Sequence, residues 1–313
     1  MIDNIELPNL ILYKFLFNLE FLEDAILPEF KGSTLRGAFG WHLKKAVDNL
    51  SPVYKNIFET QGGENDISYL KGVKNIPHPF VLHPPYTVKR KFSKGEILTV
   101  GITLFGYAHN FLPFLIEAFS LMGKSGLTKD KYKFILSNVL NEDFFDSNCT
   151  IYSISSKLNS NYKPIILSDI IQNIDYNTEK IKLNFLTPFL LQSDSKEIHE
   201  YNKSTITPAL IVGSIERRYK ILSQYFCRSS TGVKEIFKPD HTVTIAGLNV
   251  KDYILQRFSS RLNEKQIFEG LQGDIILEGN LKTILPIIYI GEKINIGKKT
   301  SFGWGQYKIE ILG

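Results

Sequence analysis

Two stretches of this 313-residue chain hold side chains that could do chemistry: a histidine followed by two lysines, and a glycine-rich segment near the C-terminus. The first is Trp41-His42-Leu43-Lys44-Lys45. Imidazole titrates near neutrality and can take or give a proton there. Lys45, one helical turn on, could offset negative charge building on a phosphate. From position alone, the same imidazole could instead donate to a backbone carbonyl at the edge of an amphipathic helix. The second is Gly297-Lys-Lys-Thr-Ser-Phe-Gly303-Trp-Gly305, carrying Lys298 and Lys299. Its G-x5-G-x-G spacing permits positive φ and lets a backbone or a phosphate approach closely. Consecutive N–H groups in such a turn can form an anion-binding nest. It is not a P-loop, because Gly291 is one residue too far from Gly297 and Lys299 occupies the Ser/Thr position.

Other chemistries lack their residues. No histidine pair has H-x3-H or H-E-x-x-H spacing, and Cys149 and Cys227 lie too far apart to form a metal site by themselves. Neither a metal nor any other cofactor is therefore expected. The G-x-S-x-G elbow of a serine hydrolase is absent. His78 and His83 flank a proline-rich strand and read as surface or turn residues; His109, His199 and His241 stand alone. Two cysteines suit a reducing cytoplasm, no apolar run approaches the roughly 18 residues of a membrane span, and the acidic N-terminus lacks a basic leader.

Charge is unevenly placed. Residues 1–200 carry 21 Lys+Arg against 22 Asp+Glu, whereas 201–313 carry 16 against 10. The whole positive excess is in the last third, which suits a polyanionic partner held there. Arg257, Phe258 and Arg261 precede a turn expected at Gly270–Gly273, and Phe302 and Trp304 interleave with the tail lysines. Arginine can grip phosphate bidentately and aromatic faces can hold unpaired bases. Arg36 could do the same or form a salt bridge within its own domain, and Arg217-Arg218 reads as a solvated helix face.

These residues need elements to position them. Leu10–Phe21 reads as a strand, and Ser33 or Thr34 as the cap of a helix reaching about Leu50, with Leu35, Phe39, Leu43, Val47 and Leu50 on its apolar stripe. Pro79–His83 and Gly95–Phe105 read as strands, Asn110–Met122 as a helix ended by Gly123, and Lys133–Leu140 with Cys149–Ser155 as a hairpin. After a linker at 158–179, the order restarts. A strand at Lys180–Leu186 leads to a helix at Thr207–Tyr225. Strands at Val243–Val250 and Phe268–Leu281 follow, then an apolar segment at Thr283–Tyr289 and a last strand at Gln306–Leu312. Each half fits strand–helix–strand–strand–helix–strand, the split βαβ of a ferredoxin-like domain.

Several blocks occur in a telling order: Phe30-Lys-Gly-Ser-Thr-Leu-Arg-Gly-Ala-Phe-Gly40, Pro79-Phe-Val-Leu82, Leu104-Phe-Gly106 through Gly123, Arg257-Phe-Ser-Ser-Arg261, Gly270-Leu-Gln-Gly273, and the glycine-rich tail. Over nearly its whole length the chain resembles the CRISPR-associated endoribonucleases that process precursor crRNA, in the repeat-associated mysterious protein (RAMP) superfamily. The resemblance implies an α+β fold of tandem ferredoxin-like (RRM-like) domains with a C-terminal glycine-rich loop, at 1–157 and 180–313. It implies a metal-independent endoribonuclease that binds CRISPR repeat RNA and leaves 2′,3′-cyclic phosphate and 5′-OH ends. His42, Lys45 and Tyr54 would form its catalytic set. Arg36, Lys44, Arg257, Arg261, Gly297, Lys298, Lys299, Gly303 and Gly305 would bind RNA. A crRNA effector complex and a second copy of the chain are the protein partners it suggests, and a membrane is not among them. A non-catalytic RAMP subunit of an effector complex would use the same fold and tail without the histidine. A ferredoxin-like module for a protein or small molecule is a third reading.

Overall fold

The computed structural model describes residues 7–47, 51–60, 76–193, 196–197, 202, 204–230, 235–259 and 264–312. They form two compact units, one from 11–166 and the other from 7–10 with 167–312.

The first unit runs β1 (Ile11–Phe21), β2 (Ala25–Ile26), α1 (Gly32–Ala46), α2 (Pro52–Phe58), β3 (Phe80–His83), β4 (Lys91–Phe92), β5 (Ile97–Phe105), α3 (Leu112–Ser125), β6 (Phe134–Glu142), β7 (Asn148–Ser153) and β8 (Ile165–Ile166). Its sheet is antiparallel in the order β3-β5-β1-β6-β7, with β8 on the start of β1. Alternation along β1 buries Phe15, Phe17, Leu19 and Phe21 on the face that meets the helices. Phe39 of α1 and Phe119 of α3 stack tilted at 5.4 Å, and Phe17 meets Phe119 at 4.6 Å. Each such buried side chain contributes roughly 1.5–3 kcal/mol, which fixes α1 and every side chain it carries.

Two helix boundaries differ from the sequence expectation. The α1 N-cap is Lys31, without a side-chain cap bond; neither Ser33 nor Thr34 serves. Lys31 is instead pinned by its own ammonium, which donates to the carbonyls of Glu29 and Thr87 at 3.0 Å. Gly123 does not end α3. It lies inside the helix, where a Cβ would come within 2.3 Å of the Phe134 carbonyl, and Gly126 (φ +86°) makes the exit. His83 is buried rather than exposed: it pairs in register with Gly101, whose missing Cβ makes room for it, and its Nε2 lies 2.8 Å from the Thr103 hydroxyl.

The second unit contains α4 (Leu167–Gln172), β9 (Lys180–Phe185), β10 (Gln192–Ser193), β11 (Lys196–Glu197), α5 (Pro208–Cys227), β12 (Thr244–Ser259), β13 (Glu264–Glu278), α6 (Leu285–Ile294) and β14 (Tyr307–Ile311). Thus the stretch expected as a linker, 158–179, carries β8 and α4. The antiparallel order β12-β13-β9-β14 repeats the ferredoxin-like arrangement of β3-β5-β1-β6. Thr207 caps α5 by accepting from Leu210 N at 3.2 Å. Arg218 is not on a solvated face. It is buried, its Nε donates to the Ile294 carbonyl at 2.8 Å, and desolvation lowers its pKa to about 9.

The strands β12 and β13 run well beyond their expected ends as one hairpin. Asp274–Glu278 also pairs with β9 and Leu271 bridges to Phe189, so the stretch beyond is a two-stranded ribbon. Gly270 and Gly273 lie within β13 rather than at a turn. Gly270 lets the ribbon close on Trp304 and the Phe189 carbonyl, at 2.5 and 2.8 Å from an added Cβ. No helix among the described residues is long and apolar enough to cross a membrane.

Candidate functional site

Rotation along α1 sorts its side chains. At 100° per residue, Leu35, Phe39 and Leu43 form the buried stripe, while Trp41, Lys44 and Lys45 face solvent. His42 sits at the edge and is only 4% exposed. Its Nδ1 lies 2.8 Å from the Ala38 carbonyl. A carbonyl can only accept, so Nδ1 carries the proton and Nε2 is left with its lone pair. That Nε2 is buried and makes no hydrogen bond among the described residues. Burial is the main force holding the His42 pKa below its usual value; the Ala38 bond opposes it, and the nearby Lys45 charge adds to the fall. The imidazole is therefore neutral at pH 7, the protonation state a base requires.

Lys45 stands beside this group. Its Nζ lies 3.5 Å from the centroid of the Trp41 ring, and that ring meets His42 edge-on at 4.6 Å and 82°. Tyr54 is not part of the arrangement. Its ring stacks on Phe58 at 5.5 Å, and Phe58 packs against Gly40, on a face of α1 about 160° from His42. Lys44 goes with Tyr54, 5.7 Å above its ring. On that side Arg36 lies over Phe58 at 5.3 Å and donates to His78 Nε2 at 3.0 Å. His78 itself stacks on Phe80 and is no free surface residue. Of the residues expected to share catalysis, the fold thus joins His42 and Lys45 and separates Tyr54.

In the second unit the expected contacts do converge, in a way the sequence did not show. Arg257 on the ribbon lies 4.9 Å from the Phe302 ring and 5.4 Å from the Phe268 ring. Lys299 lies 5.0 Å from Phe268 and 5.4 Å from Trp304. Cation and aromatic alternate through the cluster. Burial is the leading cause that lowers the pKa of both Arg257 and Lys299. Lys298 and Lys299 both approach Glu197, at 3.9 and 3.8 Å, and Lys298 is the more exposed. Arg261 lies outside the described residues.

At Gly297 and Gly305 the tail packs closely against other backbone. Gly297, Gly303 and Gly305 all have positive φ. A Cβ would come within 2.2 Å of the Leu190 carbonyl at Gly297 and within 1.9 Å of the Ile296 carbonyl at Gly305. The expected nest is not formed by the amides of Lys298, Phe302, Gly303, Trp304 and Gly305, which donate to carbonyls of Leu190, Lys299, Thr300, Lys299 and Pro188. Close approach of backbone to backbone is what the spacing buys.

Sequence reasoning missed Trp41, which adjoins His42 and is 52% exposed. The available signal was a tryptophan on the polar side of an amphipathic helix. Among the described residues no group of three or more His, Cys, Asp or Glu could hold a metal ion.

Comparison with known proteins places the two units. Residues 8–163 match the family model AF_1859_N, an N-terminal domain. Residues 183–307 match that of the CRISPR-associated endoribonuclease Cas6. An uncharacterized protein of Archaeoglobus fulgidus is 26% identical over 299 residues, covering 90% of this chain and 92% of its own. Cas6 of Thermus thermophilus superposes with a TM-score of 0.54 at 14% identity, over 96% of this chain and 99% of that one. A chain of a partial Cas6-RT-Cas1–Cas2 complex gives a TM-score of 0.60 at 12% identity; the match covers 97% of this chain but 46% of that one. The shared fold is the pair of ferredoxin-like domains found in Cas6 structures. Residues 183–307 thus carry a CRISPR-associated endoribonuclease Cas6 domain, and the fold of the chain is that of Cas6 structures.

Proposed function

We propose that this protein binds CRISPR repeat RNA and cuts the precursor within each repeat without a metal, leaving a 2′,3′-cyclic phosphate and a 5′-OH. The observation that carries the cleavage reading is the His42 imidazole, tethered through Nδ1 so that a bare Nε2 is held beside Lys45. Nε2 would take the proton of the 2′-hydroxyl as its oxygen attacks phosphorus. Lys45 would offset the charge gathering on the phosphorane, and the imidazolium or water would return a proton to the departing 5′-oxygen. Tyr54 drops out of the mechanism. Because Nε2 is covered in the unbound chain, RNA binding must open a path to it. Arg257, Lys298 and Lys299 would hold the strand in the second unit. Arg36 and Lys44 would touch backbone away from the cut, and Arg261 is retained as a contact on sequence grounds.

The test is cleavage of labelled repeat RNA in EDTA. His42→Ala is expected to lower the cleavage rate roughly 10²–10⁴-fold while the RNA affinity stays within a few fold. Unchanged cleavage would remove His42 from the chemistry, and loss of cleavage in EDTA by the unmodified protein would remove metal independence. Burial of Nε2 supports a second reading, a non-catalytic RNA-binding subunit of an effector complex. Binding without any shortening of the RNA would select it. Self-association into a dimer is part of either reading and is checked by light scattering with and without RNA.

A further inference from the structure

Packing does not explain the composition of the solvent face of α1. Gly37, Trp41, Lys44 and Lys45 are all exposed, and the helix contains no acidic residue. Trp41 is half exposed, whereas the other tryptophan, Trp304, is fully buried. Helical side chains lean toward the N-terminus, so Gly37, Trp41 and Lys45 form one column along the helix. At its far end the ammonium of Lys45 lies on the indole, 3.5 Å from the ring centroid. At its near end Gly37 sits in the helix interior, where glycine is less favourable than alanine. Nothing lies within 4 Å of where its Cβ would be, so no crowding demands a glycine there. The result is an open slot one turn before an exposed indole, which carries the Lys45 ammonium and meets the His42 ring at 4.6 Å.

The geometry points to Trp41 as a stacking platform for one unpaired RNA base, with Gly37 keeping the slot open and Lys45 steadying the indole. The inference rests on the RNA-cutting reading above and adds a specificity-determining residue to it. A base is the occupant that fits, since a single aromatic face with lysines and no carboxylates suits a planar ring on an anionic backbone. A protein helix would need a wider apolar strip. A base held on Trp41 puts its own ribose and phosphate next to Lys45 and His42, so the platform chooses which linkage meets the imidazole.

Tryptophan emission reads this by difference from Trp41→Ala, in which Trp304 is the one remaining indole. Repeat RNA, and oligoadenylate as a sequence-neutral probe, are expected to quench emission saturably. Trp41→Ala should weaken RNA binding about tenfold, the order of one base–aromatic stack, and blur the position of the cut. Trp41→Phe should restore both. Gly37→Leu, which leaves the indole in place, should abolish the quenching while the circular dichroism stays unchanged. Replacing one nucleotide of the repeat by an abasic residue should reproduce the tenfold loss in the unmodified protein and add nothing to Trp41→Ala. RNA binding that leaves emission unchanged, or a Trp41→Ala protein that binds and cuts at the same position and rate, overturns the platform. Quenching without any cutting would uphold the platform and sink the nuclease reading; normal cutting without quenching would do the reverse.

Discussion

At His42 two properties that usually compete are separable by experiment. A buried neutral histidine must be charged when acid unfolds the protein, so it couples stability to pH. Its folded pKa lies below the ordinary value of about 6.5, so the unfolded chain binds more protons wherever the two differ. The stabilisation is therefore present above about pH 6.5 and is lost as pH falls through that value toward the folded pKa. Urea unfolding at pH 7.5 and 5.5 should show a larger loss in the unmodified protein than in His42→Gln. Equal losses would mean that the ring is as well solvated folded as unfolded. The sequence located this histidine at the edge of an apolar stripe and allowed both a carbonyl bond and a catalytic role. The structure makes the bond to Ala38 and turns it into the device that frees Nε2. Tyr54 lies away from His42 because nearness along the chain says nothing about which side of α1 the next helix takes, and Phe58 takes the Gly40 side.

Among the elements, the glycine-rich tail makes the sharpest claim. Gly305→Ala would place a methyl group 1.9 Å from the Ile296 carbonyl at φ +75°, and Gly297→Ala would place one 2.2 Å from the Leu190 carbonyl at φ +76°. The left-handed backbone alone costs alanine roughly 1–2 kcal/mol, and a clash with fixed backbone adds to it. Each variant should lose more than about 2 kcal/mol in urea unfolding. Gly213→Ala, in the interior of α5 with nothing within 4 Å, should instead gain about 0.5–1 kcal/mol. If Gly305→Ala were neutral, the tail would not be clamped between Ile296 and Pro188. Most elements were legible because amphipathic periods mark them: Phe15, Phe17 and Leu19 on β1, Leu35, Phe39 and Leu43 on α1. The ribbon was not. Gly270 and Gly273 carry the letters of a turn, and only the distant Trp304, Phe189 and Asn249 show that they serve close packing inside a strand.

For the whole chain the issue is how much of its positive charge a polyanion can use. The excess in 201–313 is real in the sequence, yet several of its cations are engaged. Lys308 approaches Glu292 at 3.1 Å, Lys220 is buried against Glu216, and Arg257 and Lys299 lie on aromatic rings. Exposed pairs such as Lys308–Glu292 contribute only about 0–1 kcal/mol and yield readily to a phosphate. The buried Lys220 does not, and Arg257 and Lys299 would meet a strand from their places on the rings. Few phosphates should therefore be neutralised, about four, and each contact on a single strand adds roughly −0.7 to the slope of log K against log salt. Titrations of repeat RNA between 50 and 300 mM KCl should give a slope near −3. Lys298→Ala, removing the more exposed cation of the tail, should flatten the slope by about 0.7 and weaken binding alike for every RNA sequence. A slope near zero would show that phosphate contacts do not hold the ligand, leaving a protein or a small molecule as the partner of this fold. A slope much steeper than −3 would mean that cations beyond those lying on Phe268, Phe302 and Trp304 also meet the strand. In that case the alternating cluster would be only one part of the RNA contact.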